Sequence, residues 1–362
     1  MEGKRLKIEI RDAISKIRFA PKSNNLLISS WDSNLRLYDV DTSKLRSETP
    51  LEVGLLGCCF QDESIAFSID TDCCLRRKHH YVTIKGQMIW LRSCLGHLMY
   101  KTYAVTRHDL NSGIHEAVGN HDDLANCVEY SEELVSQAIT GGLNKRITSW
   151  DMRMEKPMVY SGLVGGEIES ISLRGYNLAV GIGTSVNLHD LRDLRKPPEI
   201  QSSMEYPVSC VDLFPNFKGY AVGSVDGHVA VKCLDSNANE MSCMFRCPPK
   251  SRDGKRHLVA VNDIAFDPSH YGTFVTGDNE GYALMWDAQS RKRLFQFVKY
   301  PNSVASLSCN NNGPFLAVAS SYTYQESNEK LPPQIFIHEM DEKVMDMGSM
   351  PRGTEAAVKG CY

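Results

Sequence analysis

The chain has 362 residues, of which 42% are hydrophobic and 23% charged, with a formal net charge of −4. That length exceeds one ordinary core and points to two domains or one large closed β architecture. The charge gives no overall pull toward nucleic acid or an anionic membrane, and no run approaches the roughly 20 apolar residues of a membrane helix.

From its start, Met1 to Arg5, the chain leads into alternating "RLKIEI", residues 5–10. This is strand-like and lacks the apolar run of a signal peptide. The twelve cysteines therefore read as reduced thiols of the cytosol or nucleus rather than a disulfide framework. Cys58, Cys127, Cys210 and Cys309 each replace an apolar residue in a strand pattern and read as small buried hydrophobes.

The clearest unit follows, "ISKIRFAPKSNNLLISSWDSNLRLYDV", residues 14–40. It alternates, turns at Pro21–Asn25, alternates again, turns at Asp32–Asn34 and alternates to Asp39. Period-two patterning broken by Asn, Ser and Pro means consecutive antiparallel strands. The same grammar closes at Asp109, Asp151, Asp190, Asp235 and Asp287, and a looser last copy begins at Val304. Seven units of ~40 to 45 residues, each of four strands and closing in Trp-Asp or a variant, predict an all-β, seven-bladed WD-repeat propeller. Trp150 and Trp286 stand directly before a closing aspartate, whereas Trp31 stands in a turn. The last copy lacks a convincing fourth strand after residue 340, so residues 5–10 are expected to supply it and close the ring. The propeller is expected to span 5–340, with 341–362 a flexible tail.

Gaps between closing aspartates are 70, 42, 39, 45 and 52 residues, and only the first is grossly long. Letting Asp72 play the part of Asp32 and deleting 74–103 restores both the spacing and the six residues before Asp109. Residues 74–103 are therefore an insertion between the second and third strands of blade two, and "AVTRHDL" is expected to remain the third strand. Cys73, Cys74, His79, His80, Cys94 and His97 are zinc-compatible ligand types. Beyond Cys94-x2-His97 no second pair has knuckle spacing, and no metal or cofactor is expected. An extra hairpin in "YVTIKGQMIW" turning near Lys85-Gly86, a loop, or an extended reading of the gene stay open. The insertion is expected to overhang the face where a peptide would bind.

Several segments resemble the mitotic checkpoint family usually called Bub-three, sister to the Rae/Gle-type mRNA-export factors. They are "LLISSWDSNLRLYDV", "NHDDLANCVEYSEE", "FPNFKGYAVGSVDGHVAV" and, most strongly, residues 261–325. The resemblance covers roughly 5–340 without the insertion. It implies a non-enzymatic, monomeric adaptor of the spindle assembly checkpoint, found in the nucleus, at mitotic kinetochores and in the cytoplasm. Such an adaptor binds a short acidic motif of checkpoint kinases and phosphorylated motifs of a kinetochore scaffold. It touches neither nucleic acid nor membrane directly. Carried over residue by residue, the resemblance assigns Trp31, Lys299, Tyr300, Asn302, Tyr322 and Tyr324 to a peptide-binding top face; for each, ordinary packing is the competing reading. The family has an arginine in the loop entering blade five where this chain has Ser209, which removes a bidentate donor for Glu or phosphate.

Two alternatives remain. Asp151-x-Arg153 and Asp190-x-Arg192 resemble the blade endings by which some propellers join a cullin-type ubiquitin-ligase linker. An export or nuclear-pore role is the other; a nucleic-acid role would favour a basic stripe, and none is evident. His121 with Asp122 and His189 with Asp190 resemble fragments of an acid–base pair, but hydrogen bonds that staple the sheets explain them better.

Overall fold

The structure, a computed structural model, describes residues 3–71, 82–84, 87–89, 103–121, 124–131, 137–201, 204–234, 242–247, 250–252, 255–270, 272–311, 314–323 and 331–340. It is built from seven four-stranded antiparallel sheets. With strands lettered a to d from the centre outward, blade one is Ile14–Phe19, Asn25–Ser30, Asn34–Asp39 and Lys44–Pro50. The inner strands of the following blades are Leu55–Phe60, Ala125–Ser131, Ile168–Arg174, Val208–Leu213, Val261–Phe266 and Val304–Cys309. Neighbouring inner strands touch in circular order, and the seventh meets the first. The middle strands are buried on both faces, as Asn25–Ser30 shows, because each blade packs apolar side chains against the blades on either side. The predicted seven-bladed propeller is the observed fold. The sole helical element among the described residues is one 3-10 turn, Leu191–Asp193.

Closure is as expected in kind and shorter in extent. Lys4 and Arg5 pair with Ile337 and Phe336 of blade seven, and the Leu6 amide donates to the Ile335 carbonyl at 2.9 Å. Residues 6–10 then leave the sheet. Leu6 and Ile10 bury themselves between blades seven and one, so their alternation serves packing rather than pairing.

The recurring closing aspartate has a local cause. Asp39, Asp109, Asp151, Asp190 and Asp287 end strand c, and each carboxylate accepts a backbone N–H two or three residues on, at 2.9–3.0 Å. This is the Asx turn that starts the c–d loop. Asp235 lies outside the described residues. In blade two, strand c is Tyr103–Asp109 and pairs with Ile65–Asp70, so the blade is intact across the insertion. Strand c begins one residue inside the expected insertion boundary, since Tyr103 pairs with His121. Within the insertion, Val82–Ile84 pairs with Gln87–Ile89, a hairpin in the segment for which a hairpin was one of three readings left open. Asp72, Trp90, the six zinc-compatible residues and the tail 341–362 lie outside the described residues.

One feature repeats in all seven blades: a β-bulge at the second residue of strand a, at Ser15, Leu56, Asn126, Glu169, Ser209, Asn262 and Ala305. A bulge bends the strand and re-aims a side chain, here at the mouth of the central channel. Deeper in the channel, side chains of one blade accept the inner-strand N–H groups of the next. Ser306 and Ser308 take Ile17 and Phe19, Ser170 and Ser172 take Val211 and Leu213, and Asp263 takes Leu307. Unpaired strand-edge donors cost free energy when buried, which explains the Ser and Asp at alternate inner positions. Two ion pairs tie blades that are not adjacent: Lys16–Asp263 at 3.0 Å and Arg18–Glu129 at 2.6 Å. The cysteines follow the same logic in part. Cys58, Cys127 and Cys210 donate weakly to the carbonyls of Lys16, Glu169 and Val261, and burial pushes the first two thiols up to about 11 and about 12.

Candidate peptide-binding face

In a four-stranded antiparallel blade the b–c turn and the loop from strand d to the next strand a emerge on the same side. That upper side carries the turn 31–33, the loops 6–13 and 297–303, and the turn that begins at Ser321. Trp31 sits in the b–c turn of blade one, half-buried. Its amide donates to the Ala13 carbonyl at 2.8 Å, and its indole lies against Gly54, where an added Cβ would come within 3.3 Å of the ring. The turn is built by Asp32. Its carboxylate receives Ser30 Oγ at 2.5 Å, the Arg11 amide at 3.0 Å and both Nη atoms of Arg36 at 2.9 and 2.7 Å. Burial works against the charge on Asp32, but Arg36, Ser30 and the Arg11 amide outweigh it and hold the carboxyl below its ordinary range. Blade five repeats the device with Ser224, Asp226 and His228.

Tyr322 lies on the other side of the same loop. Its hydroxyl donates to the Asp12 carboxylate, and the neighbouring Ser321 Oγ receives the Ile14 amide at 2.9 Å. Burial and Asp12 both push the phenol up, so it stays a donor at neutral pH. Residues 11–13 thus bridge Trp31 of blade one and Tyr322 of blade seven, two of the six predicted residues.

The others are placed differently. Tyr300 is buried between blades six and seven, its hydroxyl 2.6 Å from His338 Nε2. Burial pushes His338 down to about 4, so its neutral ring can accept this bond. Asn302 is buried too, and its amide donates to the Leu331 carbonyl at 3.0 Å. Both residues use their polar groups inside the protein and support the loop rather than face outward. Lys299 is exposed, its ammonium 5.3 Å from the centre of the Tyr282 ring. Tyr324 lies outside the described residues. Ser209 stands not in the loop before blade five but at the bulge of that blade's inner strand. Its hydroxyl donates to the Val261 carbonyl of blade six, as the Asn262 amide does to Val304 of blade seven at 3.0 Å.

The WD domain, G-beta repeat family model matches residues 5–39, the segment that ends with blade one's closing aspartate. Mitotic checkpoint protein BUB3.3 of Arabidopsis thaliana is 41% identical over 345 residues, spanning 94% of this chain and 100% of the relative. The chain belongs to the Bub3 family of mitotic checkpoint WD-repeat proteins. Mitotic checkpoint protein BUB3.1 of the same plant is 37% identical, over 94% of this chain and 93% of that one. The Poly(A)+ RNA export protein of Schizosaccharomyces pombe is 26% identical over 90% and 87%, more distant, as the residue-level resemblance implied.

On the opposite, lower face of this Bub3-family propeller, Asp151 and Asp190 end strand c of blades three and four. Arg153 binds Asp151 through Nε and Nη2 at 3.0 and 2.8 Å, and Arg192 binds Asp190 at 2.9 and 2.5 Å. Both guanidinium groups are largely exposed. Arg153 also lines a groove of about 530 Å³ with Met152, Met154, Pro157 and Val118 of blades two and three. His121 is a sheet staple: its Nε2 lies 2.6 Å from Thr140 Oγ1, which also receives Trp150 Nε1 at 2.7 Å, and Asn144 meets Nδ1 at 2.9 Å. His189 is not a staple. It is buried with neither ring nitrogen bonded, and burial lowers its pKa. Asp122 lies outside the described residues. Among the described residues no group of three or more His, Cys, Asp or Glu is placed to hold a metal ion.

Lys250–Arg252 pairs with Lys255–His257 in a two-stranded hairpin between blades five and six.

Proposed function

We propose that this protein is a non-enzymatic adaptor of the spindle assembly checkpoint that holds short acidic or phosphorylated peptides on its upper face. Its partners are checkpoint kinases carrying an acidic motif and a phosphorylated kinetochore scaffold, and its working place is the nucleus and the mitotic kinetochore, with a cytoplasmic pool. The observation that carries this reading is the loop 11–13, pinned by Trp31 on one side and Tyr322 on the other. It supports an aromatic platform held at a fixed height, with Arg11 and Lys299 exposed on loops of the same upper face. A rigid aromatic anchor with cations around it suits an extended acidic peptide. Ser209, which holds a carbonyl of blade six, leaves that flank without the guanidinium of the family pattern.

The test is fluorescence anisotropy with a labelled acidic peptide, together with a pull-down from mitotic extract. Trp31→Ala should lower affinity about 30-fold, the scale of a central aromatic hot spot, and should abolish recovery of checkpoint kinases. Unchanged affinity in a folded Trp31→Ala protein sinks the reading. A second reading, a ubiquitin-ligase substrate receptor, draws on Arg153 and Arg192, exposed on the face away from the peptide. Recovery of the ligase linker, lost in Arg153→Ala/Arg192→Ala, supports it. The two roles use opposite faces and exclude neither each other nor the adaptor class.

A further inference from the structure

We propose that the lower end of the central channel is a binding site for a small oxyanion, a free phosphate or a short carboxylate, held by Arg18 of blade one and Arg174 of blade four. The site lies away from the upper face and does not depend on the peptide-binding reading. Every inner strand starts near its bulge on the upper side and ends on the lower one. Arg18 stands next to last in Ile14–Phe19 and Arg174 is the last residue of Ile168–Arg174, so both stand near the lower mouth. There they line one cavity of about 230 Å³ with Glu129 and Asp212, beside the a–b turn residues Pro21 and Pro268. At a share of about 30 Å³ per water, it has room for a small ion and part of its hydration shell.

The cavity is rich in unspent donors. Arg18 gives one bond, from Nη2 to Glu129 Oε1 at 2.6 Å, which leaves Nε and Nη1. Arg174 is half-buried, and its guanidinium makes no hydrogen bond or ion pair among the described residues. An arginine side chain carries five N–H donors and no acceptor, and donors held from water without partners cost free energy. The two carboxylates of the cavity are already engaged. Glu129 holds Arg18, and Asp212 receives Ser172 Oγ at 2.9 Å on one oxygen and the Phe266 amide at 3.2 Å on the other. The four charges of the lining sum to zero, so an anion gains here from directed donors rather than from net field. Guanidinium forks closing on an oxyanion supply such bonds.

The cations of the seven inner strands are Lys16, Arg18 and Arg174. Two of them tie blades that are not adjacent, Lys16 to Asp263 and Arg18 to Glu129; Arg174 has no such partner. It does reach across the ring. Burial, Asp267 and Asp212 push the Cys309 thiol up, and Arg174 pulls the other way, which sets its charge close to the inner strand of blade seven, next to blade one. An oxyanion between Arg174 and Arg18 completes the set and joins blade four to blade one. Phe19, Phe60 and Phe266 supply apolar walls, and a low local dielectric strengthens the charge-assisted bonds made inside them.

Isothermal titration of the full-length protein with inorganic phosphate, and separately with malonate, tests this against sodium chloride at matched ionic strength. The wild type should bind at least one of the two oxyanions, about one ion per chain, and that ion should raise the melting temperature. Arg174→Gln should weaken binding at least ~tenfold. It should leave the melting temperature without added ion unchanged, because the guanidinium has no protein partner to lose. Lys196→Ala removes an exposed cation from the lower face of the same blade and should bind as the wild type does. If Arg174→Gln misfolds, Arg174→Lys replaces it; it keeps the charge, loses the fork and should still bind more weakly. Failure of the wild type to bind either ion overturns the site. So does undiminished binding by the folded Arg174 variant, or a loss in Lys196→Ala equal to that in Arg174→Gln.

Discussion

Asp32→Asn should be among the most damaging conservative changes in the protein. Arg36 is almost wholly buried, with 2% of its side chain exposed, and Asp32 neutralises it through two Nη contacts. Breaking a buried ion pair from one side typically costs ~3–5 kcal/mol, because the surviving charge stays buried without compensation. Glu48, 43% exposed, still reaches Arg36 Nε at 2.8 Å, which places the expected loss near the lower end, about 3 kcal/mol. Removing the stranded charge should return part of it: Arg36→Met in the Asp32→Asn background should be at least ~1 kcal/mol more stable than Asp32→Asn alone. Urea denaturation of both variants, followed by fluorescence, measures this cycle. The pH dependence has a definite sign. The folded carboxyl is held below its ordinary range, so its contribution is complete above the unfolded-state value and is lost as pH falls through the folded one. Asp32→Asn should flatten that acid limb. Because Asp32 also holds the Arg11 amide, the variant should weaken peptide binding even under conditions where it stays folded. A loss below ~1 kcal/mol in the single variant, or a double variant as weak as the sum of the singles, refutes the argument.

Three other expectations follow from packing and protonation. Gly119→Ala places a Cβ 2.3 Å from a ring carbon of buried Trp150; it should cost ~1–3 kcal/mol as overpacking and perturb the near-ultraviolet spectrum of that indole. Cys58, which is buried and whose thiol burial raises to about 11, should alkylate at neutral pH at least ~100-fold more slowly than a free thiol. Peptide mass spectrometry before and after urea reads this, and equal rates would contradict the burial. Deleting residues 74–103 should leave the fold within ~1 kcal/mol, since lengthening or shortening a surface loop costs little and Val105 still pairs with Ile69. If the shortened form binds the acidic peptide no better than the full chain, the insertion does not obstruct the upper face.

Much of the architecture was legible because a propeller repeats its instructions. Asp39, Asp109, Asp151, Asp190 and Asp287 are visible in the sequence because each must cap the same c–d turn. Local chemistry of that kind needs no knowledge of neighbours. The blade count, the insertion in blade two and the closing role of the N-terminal residues all followed from it. The candidate site was less legible. Trp31 and Tyr300 are both aromatic residues in turns or loops, yet one is half-buried at the upper face and the other is sealed against His338. His121 and His189 look alike in sequence, yet only His121 finds Thr140 and Trp150.

What the sequence by itself determined is therefore the set of strands, their order and the turns between them, each governed by residues a few positions apart. Only the tertiary structure decided which side chains meet across blades. Ring closure brings residues 11–13 between Trp31 and Tyr322, sets Lys16 against Asp263 and Arg18 against Glu129, and leaves Ser209 holding a neighbouring carbonyl rather than facing a ligand. Those contacts join residues up to 310 positions apart. No periodicity records them, because they depend on the angle at which one twisted sheet packs against the next.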